Sequence, residues 1–166
     1  VFSCIPPGME NQLSSHESPL RVSITRVRAS SHDLPVPRYA TEGSSGMDLC
    51  ADCESPIVIP PKGIAVVPTG FRVSLPPGCE GQVRPRSGLA RNHGVTVLNA
   101  PGTIDSDYRG EIQVILINHG EAPFRISRAD RVAQLVIAPA VRIEWIESDT
   151  LDATKRGEGG FGHTGP

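Results

Sequence analysis

From residue 20 to residue 27, apolar Leu20, Val22 and Ile24 alternate with polar Arg21, Ser23 and Thr25. That is the period-2 signature of a half-buried strand. Short apolar runs of the same kind follow at 47–53, 57–59, 64–67, 71–75, 81–84, 95–98, 111–118, 124–126, 132–137 and 141–146. Pro60-Pro61-Lys62-Gly63, Pro68-Thr69-Gly70 and Pro76-Pro77-Gly78 punctuate them as turns. Many short strands at this spacing predict an all-β barrel or sandwich. One stretch invites a helix of a turn or two, Ser87-Gly88-Leu89-Ala90-Arg91-Asn92, with Ser87 as its N-cap. Pro101-Gly102 reads as the turn of a hairpin joining 95–98 to the strand beginning at 111.

The two ends depart from this pattern. Residues 1–19 are polar and aperiodic, as expected of a disordered arm, and 20–150 make the folded domain. Residues 151–166 become glycine-rich, which predicts a tail mobile until something binds it. The opening residues have no basic segment followed by an apolar one, so no secretory signal is expected, and Met9 is a candidate start.

Composition sharpens the class. Among 166 residues there are 17 Gly and 16 Pro, against four Phe, two Tyr and one Trp, which favours turns and strands over a helical bundle. A formal net charge of -2 leaves no basic footprint for non-specific nucleic-acid binding. No apolar run is long enough to span a membrane. A polyanionic ligand must therefore be met by a few placed arginines and backbone amides. Cys50-Ala51-Asp52-Cys53 is formally a C-x-x-C, yet no second ligand pair accompanies it. Buried, reduced thiols are the expectation, and with them an intracellular, cytoplasmic protein.

Five segments stand out from this background. Ser45-Gly46-Met47-Asp48-Leu49 places a carboxylate after a glycine turn, ordinarily a turn-stabilising arrangement. Pro85-Arg86-Ser87-Gly88-Leu89-Ala90 sets a fixed positive charge beside helix-start amides that suit a phosphate. Alone it reads equally well as a short capped helix with a surface arginine. The run from Asn99 through Thr103, Ile104, Asp105 and Tyr108 to Glu111 puts a carboxylate and an aromatic ring near a hairpin mouth. These groups suit water activation and packing on a flat ligand, or merely solvate a turn. Asp130-Arg131-Val132-Ala133-Gln134-Leu135 enters a strand, with Gln134 between apolar neighbours. In the tail from Arg156 to Gly165, repeated glycines let amides wrap a phosphate chain while Phe161 offers a stacking face.

In this order and spacing, the five segments closely resemble the motifs of the trimeric dUTP pyrophosphatase family. PRSGLA, GTIDSDYRG, DRVAQL and RGEGGFGHTG each lie close to the family pattern, and the likeness spans residues 20–165. Departures are small: Met47 and Cys50 in the first motif, Arg128-Ala129 before Asp130, and His163 where Ser is common.

The resemblance implies a jelly-roll-like β fold and a homotrimer with three shared active sites, hydrolysing dUTP to dUMP and pyrophosphate. One subunit would supply the first, second and fourth motifs, a neighbour the hairpin, and the third the closing tail. It further implies that Asp105 orients water for attack on the α-phosphorus. Asn99, Thr103, Ile104, Tyr108 and, with less weight, Gln113 would hold uracil and deoxyribose. Arg86, Ser87 and Gly88 would hold the phosphates, with Gln134 close by. Mg2+ would ride on the triphosphate and meet Asp48 through water. Arg156, Phe161, Gly162, His163 and Thr164 would form the lid. The nearest rival, a dCTP deaminase, shares the fold but carries a different sequence after the hairpin Asp. A non-catalytic interaction protein that kept the fold is a second rival.

Overall fold

The computed structural model describes residues 19–160. The arm expected over 1–19 therefore falls, apart from Pro19, outside the described residues, as do Phe161, Gly162, His163 and Thr164.

Eleven strands and one α-helix are formed among the described residues, in the all-β arrangement that the alternation foretold and the jelly-roll-like form that the resemblance implied. In chain order the strands are β1 (Ser23–Arg26), β2 (Met47–Cys50), β3 (Ile57–Ile59), β4 (Ile64–Pro68), β5 (Phe71–Ser74) and β6 (Cys79–Arg84). After the helix α1 (Ser87–His93) come β7 (Val95–Val97), β8 (Gly102–Ile104), β9 (Gln113–Asn118), β10 (Phe124–Ile126) and β11 (Arg131–Pro139). They assemble into a four-stranded sheet ordered β2-β11-β6-β8, a three-stranded sheet β4-β9-β7, and the pairs β1-β5 and β10-β3. Every ladder is antiparallel.

The inward faces follow from the period of two. Along β9, Val114, Leu116 and Asn118 are buried while Gln113 is exposed and Ile115 and Ile117 lie between. Leu49, Ile59, Val67, Val95, Val114, Leu116, Ile126 and Val132 all fall in one core cluster, each at or below 1% exposed. Burying side chains of this size is the main source of stability, on the order of 1.5–3 kcal/mol each. β11 departs from strict alternation: Val132 and Ala133 are both buried because the register against β2 shifts between Arg131 and Ala133. That bulge is what brings Gln134 opposite Asp48.

Five local expectations are corrected. Residues 141–146 alternate but form no strand, and Val141, Ile143, Trp145 and Ile146 are 66–88% exposed. A strand needs a hydrogen-bonding neighbour, and this segment leaves the sheet at the end of β11 without one among the described residues. Pro101-Gly102 does not close a simple hairpin: β7 pairs with β9, while β8 crosses to pair with β6. The 98–112 connection thus bridges the two larger sheets. Ser87 is the first helical residue and not the N-cap, a position taken by Arg86 in an extended conformation without a side-chain cap bond. Finally, α1 is not the only helical turn, since Ala29–Asp33 forms a short 3-10 helix. The strand expected over 47–53 stops at Cys50, and Ala51, Asp52 and Cys53 continue as buried irregular chain.

Candidate functional site

The 98–112 connection builds a pocket at the seam of the two sheets. Its cavity, about 280 Å³, is walled by Val66, Val83 and Ile115 and rimmed by Asn99, Thr103, Tyr108 and Gln113, with Ile104 and Glu111 also at its surface. All five residues expected to hold base and sugar therefore meet in one place. Asp105, expected to orient water, is exposed and faces a neighbouring depression that it shares with Cys79, Glu80, Asp107 and Arg142. No salt bridge engages its carboxylate among the described residues.

Small residues shape this seam. A Cβ on Gly102 would come within 3.2 Å of Asn99 Nδ2 and 3.3 Å of Val83 Cβ, so glycine lets the strand pass close to the pocket rim. A Cβ on Gly110 would lie 2.3 Å from Tyr108 Oη. The Tyr108 hydroxyl donates to the Glu111 carbonyl at 3.1 Å, which fixes the ring across its own loop. The Tyr108 amide donates to the Asp105 carbonyl, also at 3.1 Å, closing a turn that carries both side chains.

A second cluster lies at the other edge of the four-stranded sheet. Asp48 on β2 accepts from Arg86 Nε at 3.1 Å through Oδ1 and from Arg131 Nη1 at 3.1 Å through Oδ2. Arg86 Nη1 also donates to the Arg131 carbonyl at 3.1 Å, so the guanidinium plane is held from two sides. Gln134 sits directly across the ladder from both Asp48 and Arg84. Gln134 and Asp48 line one depression with Ser44, Ser45 and Gly46. At the start of α1, the amides of Leu89 and Ala90 both reach the Arg86 carbonyl, which leaves Ser87 and Gly88 ahead of the helical ladder. Nothing lies within 4 Å of where a Gly88 Cβ would be, so the backbone there is open to a ligand. Arg156 donates from Nε to the Gly159 carbonyl at 2.7 Å, in an exposed turn far along the tail.

Two groups that carry much of the local electrostatics, Asp52 and Arg28, were not singled out from the sequence. Asp52, 3% exposed, receives hydrogen bonds from Ser31 Oγ at 2.5 Å and Arg28 Nη2 at 2.9 Å, and is ion-paired to Arg128. Burial would push its carboxyl up, but the bonds from Ser31, Arg128 and Arg28 outweigh that and hold it below the usual range. Arg28 also donates to Glu111 Oε1 at 2.6 Å, and that bond is the largest influence raising its own pKa. The only sequence hint was the odd placement of an acid inside an apolar run. Burial, reinforced by Asp48, pushes the Cys50 thiol up, which keeps it protonated and unreactive. Cys50, Cys53 and Cys79 are all free thiols.

Among the described residues there is no cluster of three or more His, Cys, Asp or Glu able to cage a metal ion. Asp48 is also already shared by two arginines. Such a donor set fits an ion chelated mainly by a ligand's own phosphates, not one held by the protein.

Fold and pocket together define an all-β, jelly-roll-like protein with a small polar-rimmed cleft at a sheet seam and an arginine fixed on a separate edge. The dUTPase family profile matches residues 32–165, and the chain belongs to that family. It is 58% identical over 146 residues to the deoxyuridine 5'-triphosphate nucleotidohydrolase of Anaplasma marginale (strain St. Maries), covering 88% of this chain and 99% of that protein. It is 54% identical over 133 residues to the protein of the same name from Thermoanaerobacter sp. (strain X514), covering 80% and 90%. Among solved structures, a point mutant of the Staphylococcus bacteriophage 80alpha dUTPase with dUpNHpp superposes with a TM-score of 0.78 at 22% identity, covering 88% of this chain and 99% of that one. A mutant dUTPase from phage phi11 of S. aureus, described for its structural Mg(II) ion, gives 0.68 at 21% identity, covering 78% and 97%. These structural likenesses concern the fold.

Proposed function

We propose that this chain hydrolyses dUTP to dUMP and pyrophosphate, keeping uracil out of DNA and supplying dUMP for thymidylate synthesis. The observation that carries the reading is the 280 Å³ pocket that gathers Asn99, Thr103, Ile104, Tyr108 and Gln113, with Asp105 on the adjoining turn.

A flat pyrimidine fits between the pocket walls, where polar rim groups meet its carbonyl and imide edge. Cytosine presents a donor where uracil presents an acceptor, and an unmatched buried group is rejected strongly. Tyr108 packs on the deoxyribose and leaves no room for a 2′-hydroxyl. Asp105, in no ion pair among the described residues, accepts a proton from water as the water oxygen bonds to the α-phosphorus. The bond from that phosphorus to its bridging oxygen breaks, and pyrophosphate leaves with the electron pair. Assistance of this type is worth about 10²–10⁴ in rate. Arg86, Ser87 and Gly88 hold the phosphates, with Gln134 nearby, and Asp48 would help hold a magnesium ion brought by the triphosphate. When bound, that ion neutralises phosphate charge. Arg156, with Phe161, Gly162, His163 and Thr164, closes over the ligand and excludes bulk water.

The active unit in this reading is a homotrimer with shared sites. Asp48 on β2 and Thr103 on β8 occupy opposite edges of one four-stranded sheet, three strand spacings or roughly 14 Å apart. None of Arg86, Ser87, Gly88, Gln134 or Asp48 lines the base pocket. A neighbouring subunit brings the two groups together. The apolar side chains of Val141, Ile143, Trp145 and Ile146, exposed in a single chain, gain cover in such an assembly. A cytoplasmic location accords with free thiols and with the absence, among the described residues, of a helix long and apolar enough to cross a membrane.

Pyrophosphate release from dUTP, dCTP, dTTP and UTP, with and without Mg2+, tests the proposal. Preferential, magnesium-dependent cleavage of dUTP supports it; ammonia released from dCTP would instead favour a deaminase.

A further inference from the structure

The strongest unassigned feature is the chain of charged groups that runs from Asp52 to the rim of the base pocket. Asp52 is buried where irregular chain follows β2. It grips Arg28 through Nε at 3.1 Å and Nη2 at 2.9 Å. Arg28 in turn reaches both Glu111 oxygens, Nη2 to Oε1 at 2.6 Å and Nη1 to Oε2 at 3.2 Å. The two acids thus hold two adjacent edges of one guanidinium, meeting at the shared Nη2. Glu111 Oε1 also accepts from the Gly70 amide at 2.8 Å. The next residue is clamped to the same turn: Ile112 N donates to the Phe71 carbonyl at 2.9 Å, and Thr69 Oγ1 donates to the Ile112 carbonyl at 2.7 Å.

The turn that makes these bonds has no slack. Gly70 has φ +77, and a Cβ there would lie 2.5 Å from Asp52 Oδ2 and 2.8 Å from Ser31 Oγ. Asp52, Arg28, Gly70 and Glu111 therefore form one rigid set. Its far end is Glu111, whose carbonyl anchors the Tyr108 hydroxyl and whose own atoms line the pocket.

We propose that Glu111 is a positioning residue, which through the Arg28 guanidinium and the Gly70 amide sets the height of the Tyr108 ring over the sugar end of the pocket and so sets discrimination against ribonucleotides. This deepens the dUTP-hydrolysis reading and rests on it. The physical argument is one of leverage. Residues 105–110 are exposed or half-buried and carry little apolar anchorage of their own, so the loop's position is dictated at its ends. One end is β8, paired to β6, and the other is the Glu111–Ile112 clamp. Loss of the charge pair loosens the second end at Glu111, leaving the Ile112 bonds and the first end untouched.

The test compares wild type, Glu111→Gln and Arg28→Met in the full chain, together with the double variant, for kcat and KM on dUTP and UTP. Glu111→Gln keeps the size and the acceptor for the Gly70 amide but drops the charge. The expected result is at least a tenfold fall in the dUTP-to-UTP ratio of kcat/KM, appearing as a higher KM for dUTP with kcat less affected. Because Arg28 acts through Glu111, the double variant should be no less selective than the worse single one. Should Glu111→Gln not fold, Arg28→Lys, which keeps charge but loses the two-nitrogen grip, supplies the same readout. An unchanged selectivity ratio and KM in folded variants, with only thermal stability lowered, overturns the positioning role and leaves a purely structural one. If wild type itself does not cleave dUTP, it is the functional reading that fails, and the two failures are thus distinct.

Discussion

Arg86 and Asp48 face each other across 38 positions of sequence, with Nε 3.1 Å from Oδ1, each about a quarter exposed. The pair fixes the arginine beside the open Gly88 backbone before any ligand arrives. A planar guanidinium held on two sides presents its remaining edge in one direction, which a flexible ammonium does not. Arg86→Lys is therefore expected to leave the fold intact and lower kcat/KM on dUTP on the order of 10²-fold. Steady-state kinetics beside a circular dichroism spectrum checks this.

Removing the Asp105 carboxylate tests the chemistry itself. The side chain is exposed and takes part in no ion pair among the described residues, so Asp105→Ala should fold and assemble like wild type. Its turnover should drop by about 10²–10⁴. Near-normal hydrolysis by this variant would falsify the assigned role.

Gly110 sits against Tyr108 so closely that any Cβ would overlap the phenol oxygen, 2.3 Å away. The ring is about half exposed and, among the described residues, is tied only by its hydroxyl bond to the Glu111 carbonyl, which a Cβ at this point would break. Gly110→Ala should accordingly displace Tyr108 without unfolding the chain, costing up to about 10²-fold in kcat/KM through misplacement alone. An unaltered KM for dUTP would show that the ring does not touch the sugar.

Deletion of residues 156–166 should preserve the β fold and the oligomeric state, since among the described residues Arg156 and its neighbours make only local contacts at the surface. Loss of closure is expected to reduce kcat as well as affinity, again by about 10²-fold if alignment is what the tail contributes. Single-turnover rates separate the two effects, and a full rate from the truncated chain would exclude a lid.

Asp52 makes a pH prediction. Its folded carboxyl is held below the ordinary range even though burial opposes this, so it adds stability above the unfolded value of roughly 3.9. That contribution fades as pH falls through the lower folded value. Wild type should thus exceed Asp52→Asn in stability at neutral pH, with the gap narrowing below about pH 4. Denaturant melts at several pH values measure it; a gap independent of pH would mean that the charge of Asp52 is immaterial.

Alternation at residues 20–27 and 111–118, and the Pro-Gly turns between runs, were enough to establish an all-β chain, because one-sided burial leaves a period of two wherever it occurs. Asn99, Thr103, Ile104, Tyr108 and Gln113 were named as a set through the family resemblance, and the fold gathers them at one pocket because they lie close in sequence, four on the 98–112 connection and Gln113 at the start of β9. The same alternation at 141–146 made no strand in this chain. Periodicity reports which face is apolar but says nothing of whether a partner edge is available to pair with it. Nor did the turn chemistry at Pro101-Gly102 reveal that β8 would abandon β7 for β6. Only tertiary structure decided that Asp52 would meet Arg28 and Arg128, 24 residues before and 76 after it, and that Gly70 would have to stay bare beside them. A buried carboxylate is tolerated only where cations converge on it, and such convergence depends on chain crossings that no local window of sequence contains.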